Sequence, residues 1–169
     1  FHPKSIYTNK AFEWTNLLYS CKACNNKKFN HDTQQQPIIN PYDLDPCDCF
    51  TYTDIMIEPK AGVNFDIAKK TIEVCGLSDK RLFSARGDIL VSFRIFETDI
   101  REAMEEFDLA RTSPNKQKRA GKINDALRTI EELSQPSARL SNFCAYLLAN
   151  SKIYQKAKQR LQEYTSENL

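Results

Sequence analysis

The chain has 169 residues, of which 41% are hydrophobic and 27% charged, yet its formal net charge is only +2. That length suits one domain, or a small module fused to a larger one, and the apolar share is enough for a real core. Near-neutral charge excludes a dedicated nucleic-acid coat protein, so any phosphate contact must come from local patches.

The longest apolar run, Phe143 to Ala149, falls far short of the roughly 18 residues a membrane span needs. No membrane partner is therefore expected. No signal peptide is visible. The six cysteines are then expected as thiols or metal thiolates in a reducing, cytoplasmic setting. The chain opens on Phe1-His2-Pro3-Lys4 and not on Met, so an upstream segment is expected.

Composition changes near residue 60. Before it lie five of the seven prolines, four cysteines, the single Trp and both histidines. Trp14 to Tyr19 reads as a short strand and Ala23 to Phe29 as a short helix. His31 to Asp48 is a polar loop with turn signals at Asn40-Pro41 and Asp45-Pro46. Phe50 to Ile57 alternates in part and reads as a strand, stopped by Pro59 and Gly62.

Beyond it the punctuation thins. Ile67, Ala68, Thr71, Ile72 and Cys75 share a face over Asp66 to Cys75, with Gly76 as a C-terminal stop. A long helix is predicted over Asp79 to Arg111. Its seam repeats Leu82, Ile89, Phe96 and Ala103 beside Arg86, Phe93, Ile100 and Phe107, and Ser113-Pro114 ends it. A third helix covers Lys116 to Leu133. A fourth follows Pro136, with Leu140, Phe143, Leu147, Tyr154, Leu161 and Tyr164 at helical spacing. These stripes read as the core of a bundle.

The segment richest in chemistry is the first. Cys21-x-x-Cys24 places two thiols where they can share one tetrahedral metal, but zinc needs four ligands and this is half a site. A pair of reduced cysteines in a tight turn is the alternative. Cys47-x-Cys49 has a spacing unusual for structural zinc. Taken singly, Asn16 and Asn25 read as turn or cap residues, Trp14 as core, and Lys27 and Lys28 as solvated charges. The basic runs at Lys116, Lys118, Arg119 and Lys122, and at Lys152, Lys156, Lys158 and Arg160, read as solvated helix faces rather than nucleic-acid contacts.

In order, Phe1-x-Pro3-Lys4-Ser5, Trp14-x-Asn16-Leu17-Leu18 and Cys21-x-x-Cys24-Asn25-x-x-Lys28 resemble the HNH (ββα-metal) endonuclease family. Within it they are most similar to the PtuB branch of Septu and retron-linked anti-phage systems. Asn40-Pro41-Tyr42-Asp43-x-Asp45-Pro46 and Thr71-Ile72-Glu73-x-x-Gly76-Leu77 fit that branch too, so the resemblance covers roughly residues 1–90 and weakens beyond. It implies a finger that clamps one divalent cation, magnesium or manganese, for hydrolysis. A first-strand histidine would act as general base, oriented by a loop Asn, with a residue at the helix start ligating the metal.

Carried over, Asn16 matches the orienting Asn and Asn25 the catalytic metal ligand. Cys21 and Cys24 match half of a structural zinc knuckle, and Lys28 is placed to meet a phosphate. The base would directly precede Phe1. His2 falls on a variable position and is expected in a surface or supporting role.

The fold expected is α+β: the C-terminal portion of a small ββα-metal finger over 1–60, then an all-α bundle over 61–169 for scaffolding and partner binding. The function implied is a metal-dependent endonuclease in a defence complex gated by a PtuA-like ABC-type ATPase, acting on nucleic acid, DNA before RNA. The alternative is a catalytically incomplete, zinc-braced helical binding subunit of such a complex.

Overall fold

Short apolar runs between prolines give the first part of the chain little room for long elements. The computed structural model describes residues 1–167. It divides into two units, Phe1–Ser84 and Ala85–Leu169.

The first unit opens on irregular chain with two single-turn 3₁₀ helices, Thr8–Lys10 and Trp14–Asn16. The strand expected over Trp14 to Tyr19 is not formed. The backbone there closes on itself, Asn16 N–H donating to Glu13 O (2.9 Å) and Leu17 N–H to Trp14 O (3.0 Å), which consumes groups a ladder would need. Nor is Trp14 core: it is 84% exposed.

Helix α1, Lys22–Lys28, matches the short helix expected there. A four-residue helix, α2 (Pro46–Cys49), is capped by the Asp45 carboxylate accepting from Cys47 N–H at 2.8 Å. The predicted single strand over Phe50 to Ile57 is instead a hairpin of β1 (Phe50–Thr53) and β2 (Met56–Pro59), antiparallel with Phe50 opposite Pro59 and Thr53 opposite Met56. Asp54 turns the chain at φ 53°, a conformation Asp tolerates better than most side chains. Phe50, Tyr52 and Ile57 are buried.

Helix α3 (Phe65–Cys75) packs on β2 and on α1. Its buried Thr71 hydroxyl donates to Ile67 O (2.7 Å) and accepts from Ile39 N–H (2.8 Å), fastening the long loop to the helix. Gly76 ends α3 at φ 62°, the left-handed C-terminal stop that its type predicts.

Helix α4 (Lys80–Leu109) begins in the first unit and continues in the second. There it is joined by α5 (Ser113–Glu132), α6 (Ser141–Asn150) and α7 (Lys152–Glu167). With seven α-helices and one two-stranded sheet among the described residues, the chain is α+β. None of its described helices is long and apolar enough to cross a membrane.

The buried line on α4 is Phe93, Glu97, Ile100, Met104 and Phe107, alternating steps of four and three. Leu82, Ile89, Phe96 and Ala103 are only half-buried. Burial of Phe93, Ile100, Met104 and Phe107 contributes about 1.5–3 kcal/mol each. Glu97 belongs to this seam because both carboxylate oxygens are used: one accepts from the buried Ser151 hydroxyl (2.6 Å), the other from Arg94 (2.7 Å).

Ser151 also breaks the predicted fourth helix in two. Extended at φ −83° and ψ 108°, it accepts from Tyr154 N–H at 3.1 Å and so starts α7 where a continuous helix was expected. Ser113-Pro114, read as the end of α4, lies in the first turn of α5, where proline's missing N–H costs nothing.

Candidate functional site

Every residue singled out by motif lies in the first unit. Asn16 is 6% exposed and hydrogen-bonded at both ends of its amide. Its Oδ1 accepts from His2 N–H at 2.5 Å, and its Nδ2 donates to Lys10 O (2.9 Å) and His2 O (3.2 Å). The Phe1 nitrogen also meets Asn16 O. One amide thereby grips both faces of the His2 peptide backbone and ties residues 1–2 to the turn that follows Lys10. A carboxylate would lack the donor and an aliphatic residue would lack both, so the position demands Asn or Gln.

His2 is half-buried rather than on the surface. Its Nδ1 lies 2.5 Å from Thr33 Oγ1, and its ring meets those of Phe1 (5.2 Å) and Tyr7 (5.4 Å). Burial pushes its pKa down, with the charges of Lys10 and Lys28 adding to that effect and Asp32 opposing it. Both effects favour the neutral imidazole. Tyr7 closes the same corner, its hydroxyl donating to Asp32 Oδ1 at 2.7 Å.

Helix α1 carries the remaining candidates. Cys21 is its N-cap, the sulfur accepting from Cys24 N–H at 3.4 Å. That backbone donor is the main reason the Cys21 thiol titrates below its ordinary value. Burial pushes Cys24 the other way. The Arg81 guanidinium donates from one nitrogen to both sulfurs, at 3.4 Å and 3.7 Å, so the two thiols converge on one point.

Asn25, next along the helix, is exposed. Lys28 closes the helix half-buried, and burial lowers its pKa. Its charge adds to the lowering of the pKa values of His2 and of the Phe1 nitrogen.

The structure therefore brings Asn16 to His2, and Cys21 to Cys24. Two soft sulfur donors at one helix start suit half of a tetrahedral zinc site. Among the described residues no group of three or more His, Cys, Asp or Glu is placed to hold a metal ion. Cys49 is buried in the core while Cys47 lies at the surface, so that pair offers no joint donor set. Arg81 escaped the sequence reading because it stands 60 residues from Cys21 and belongs to no local motif.

Neither a family model nor a solved structure matches the chain. Among characterised proteins it is similar to a "Septu protein PtuB" of Bacillus thuringiensis, with 31% identity over 163 residues. The match takes in 94% of this chain, well past the first 90 residues that the motifs cover, and so includes the helical unit. The chain spans 60% of that relative's length. The similarity to the Septu protein PtuB thus extends over both of its units.

Proposed function

We propose that this chain is part of a metal-dependent HNH-type endonuclease that cleaves nucleic-acid phosphodiester bonds in a Septu-like anti-phage complex, gated by a PtuA-like ABC-type ATPase. The observation that carries this reading is the Asn16 clamp. The HNH resemblance calls for a loop Asn that orients the base histidine, and Asn16 fastens the backbone of His2, two places beyond the position of that base, from both sides. The relationship to PtuB supports the same assignment.

In this reading the base histidine directly precedes Phe1 and removes a proton from the attacking water. Asn16 acts on it through the backbone, holding the segment so that the imidazole keeps one direction. Asn25 would hold the divalent cation, since it is exposed and its side chain offers an amide oxygen, the hard donor type that magnesium or manganese prefers. Bound there, the cation supplies positive charge to the scissile phosphate and leaving oxygen. Lys28 would draw the phosphate in, with DNA favoured over RNA. Cys21 and Cys24 would supply two ligands to a structural zinc that braces the start of α1.

The test is cleavage of DNA and RNA with magnesium or manganese by the full-length protein together with its ATPase. Asn25→Ala is expected to abolish most cleavage while leaving the fold intact, because Asn25 is exposed. Failure of the wild type to cleave either substrate would sink the enzyme reading, and undiminished cleavage by Asn25→Ala would sink the site.

A further inference from the structure

Resting on the zinc reading of Cys21 and Cys24, the geometry points to Arg81 as the positioning residue of that knuckle, a guanidinium that donates to both metal-binding sulfurs. The corner that ends α3 and begins α4 is held against α1 by several contacts. Arg81 Nη2 reaches Cys21 Sγ at 3.4 Å and Cys24 Sγ at 3.7 Å. Asp79 pairs with Lys27 at 3.6 Å. The Lys27 side chain also lies over Gly76, so close that a Cβ at Gly76 would stand 3.2 Å from Lys27 Cδ.

The Lys27–Asp79 pair is exposed and contributes little by itself. Arg81 differs because its acceptors are the sulfurs themselves. A zinc site built on thiolates carries excess negative charge, and donors outside the ligand set both offset that charge and fix ligand direction. A guanidinium suits two sulfurs at once, having five donors in a rigid plane and a charge that persists at any working pH. Arg81 uses one nitrogen, whose two N–H groups serve one sulfur each, and lysine would match the charge with an ammonium less rigidly directed. Arg81 therefore ties the metal-binding turn to the first turn of α4.

The experiment is zinc affinity of the full-length protein, read by competition with a chromophoric chelator, for wild type, Arg81→Lys and Arg81→Ala. Far-UV circular dichroism monitors the fold. Arg81→Ala is expected to lose 10- to 100-fold in zinc affinity, the range typical of removing an outer-shell partner, and Arg81→Lys to lose less. Cobalt substitution adds a signature, since the thiolate charge-transfer band should shift in both variants.

Unchanged or tighter zinc binding by folded Arg81→Ala overturns this inference alone, because it would mean that the guanidinium competes with the metal or ignores it. A wild type that holds no zinc, or a Cys21→Ser variant that holds as much as wild type, overturns the knuckle reading and this inference with it.

Discussion

Replacing Asn16 by Ala removes three hydrogen bonds at once, to His2 N–H, His2 O and Lys10 O. A typical intramolecular hydrogen bond contributes about 0.5–1.5 kcal/mol net, so the simple sum is roughly 1.5–4.5 kcal/mol. His2 and Lys10 are half-buried, and water entering the gap recovers part of that. A loss of about 2–3 kcal/mol is therefore expected. With a urea dependence of ~2 kcal/mol per molar, the unfolding midpoint of the first unit should fall by about 1 M. Asn16→Asp should do no better: it keeps the acceptor for His2 N–H but sets an oxygen against two carbonyls in a site that is 6% exposed. Amide hydrogen exchange adds a local readout, because the His2 N–H should lose protection. Nuclease activity should drop on the order of 10²-fold from misorientation alone, on top of any unfolding. A midpoint within experimental error of wild type, with the His2 amide still protected, would refute the clamp.

The other expectations follow from the same contacts. Gly76→Ala should cost about 1–2 kcal/mol, because φ 62° disfavours any Cβ and Lys27 must also yield; thermal unfolding measures it, and no change would mean the turn relaxes freely. Ser151→Ala should cost about 1–2 kcal/mol, since it removes the cap of α7 and one partner of buried Glu97; equal stability would show that water replaces the hydroxyl. Glu131 accepts from the Tyr154 hydroxyl and from Lys158 (2.9 Å), and these hold its carboxyl below the usual range, the tyrosine first. A depressed folded-state pKa contributes stability above the unfolded value and loses it as pH falls through the folded one. Glu131→Gln should therefore melt below wild type at neutral pH, and the gap should close below about pH 4, where a gap independent of pH would contradict the assignment.

The fold was legible where local chemistry decided it. Helices α3, α4 and α5 follow from periodicity, and Gly76 marks the end of α3 because its left-handed φ of 62° is a glycine conformation. What stayed hidden were the features set by distant partners. The break at Ser151 depends on Glu97, 54 residues earlier, which no local pattern reveals. The same pair explains why Glu97 occupies the buried α4 seam, a position that the heptad reading passed over for Phe96. The hairpin at Asp54 was missed because Asp-Ile lacks the glycine that normally announces a two-residue turn.

The candidate site divides along the same line, and the division bears on its chemistry. Cys-x-x-Cys at a helix start is local, so Cys21 and Cys24 were found as a pair; the guanidinium that faces both sulfurs comes from Arg81 and was not. Asn16 was found by resemblance, but as a residue acting on a side chain. The structure has it acting on backbone, with two of its three bonds to His2. The difference changes what mutation should do. A residue that only steered an imidazole would be dispensable for stability, whereas one that closes the loop from Lys10 back to His2 also holds the neighbouring corner. That corner includes His2 on Thr33 and Tyr7 on Asp32. Loss of Asn16 should therefore lower activity and stability together, while loss of exposed Asn25 should lower activity alone. That contrast separates a positioning residue from a ligand within one assay.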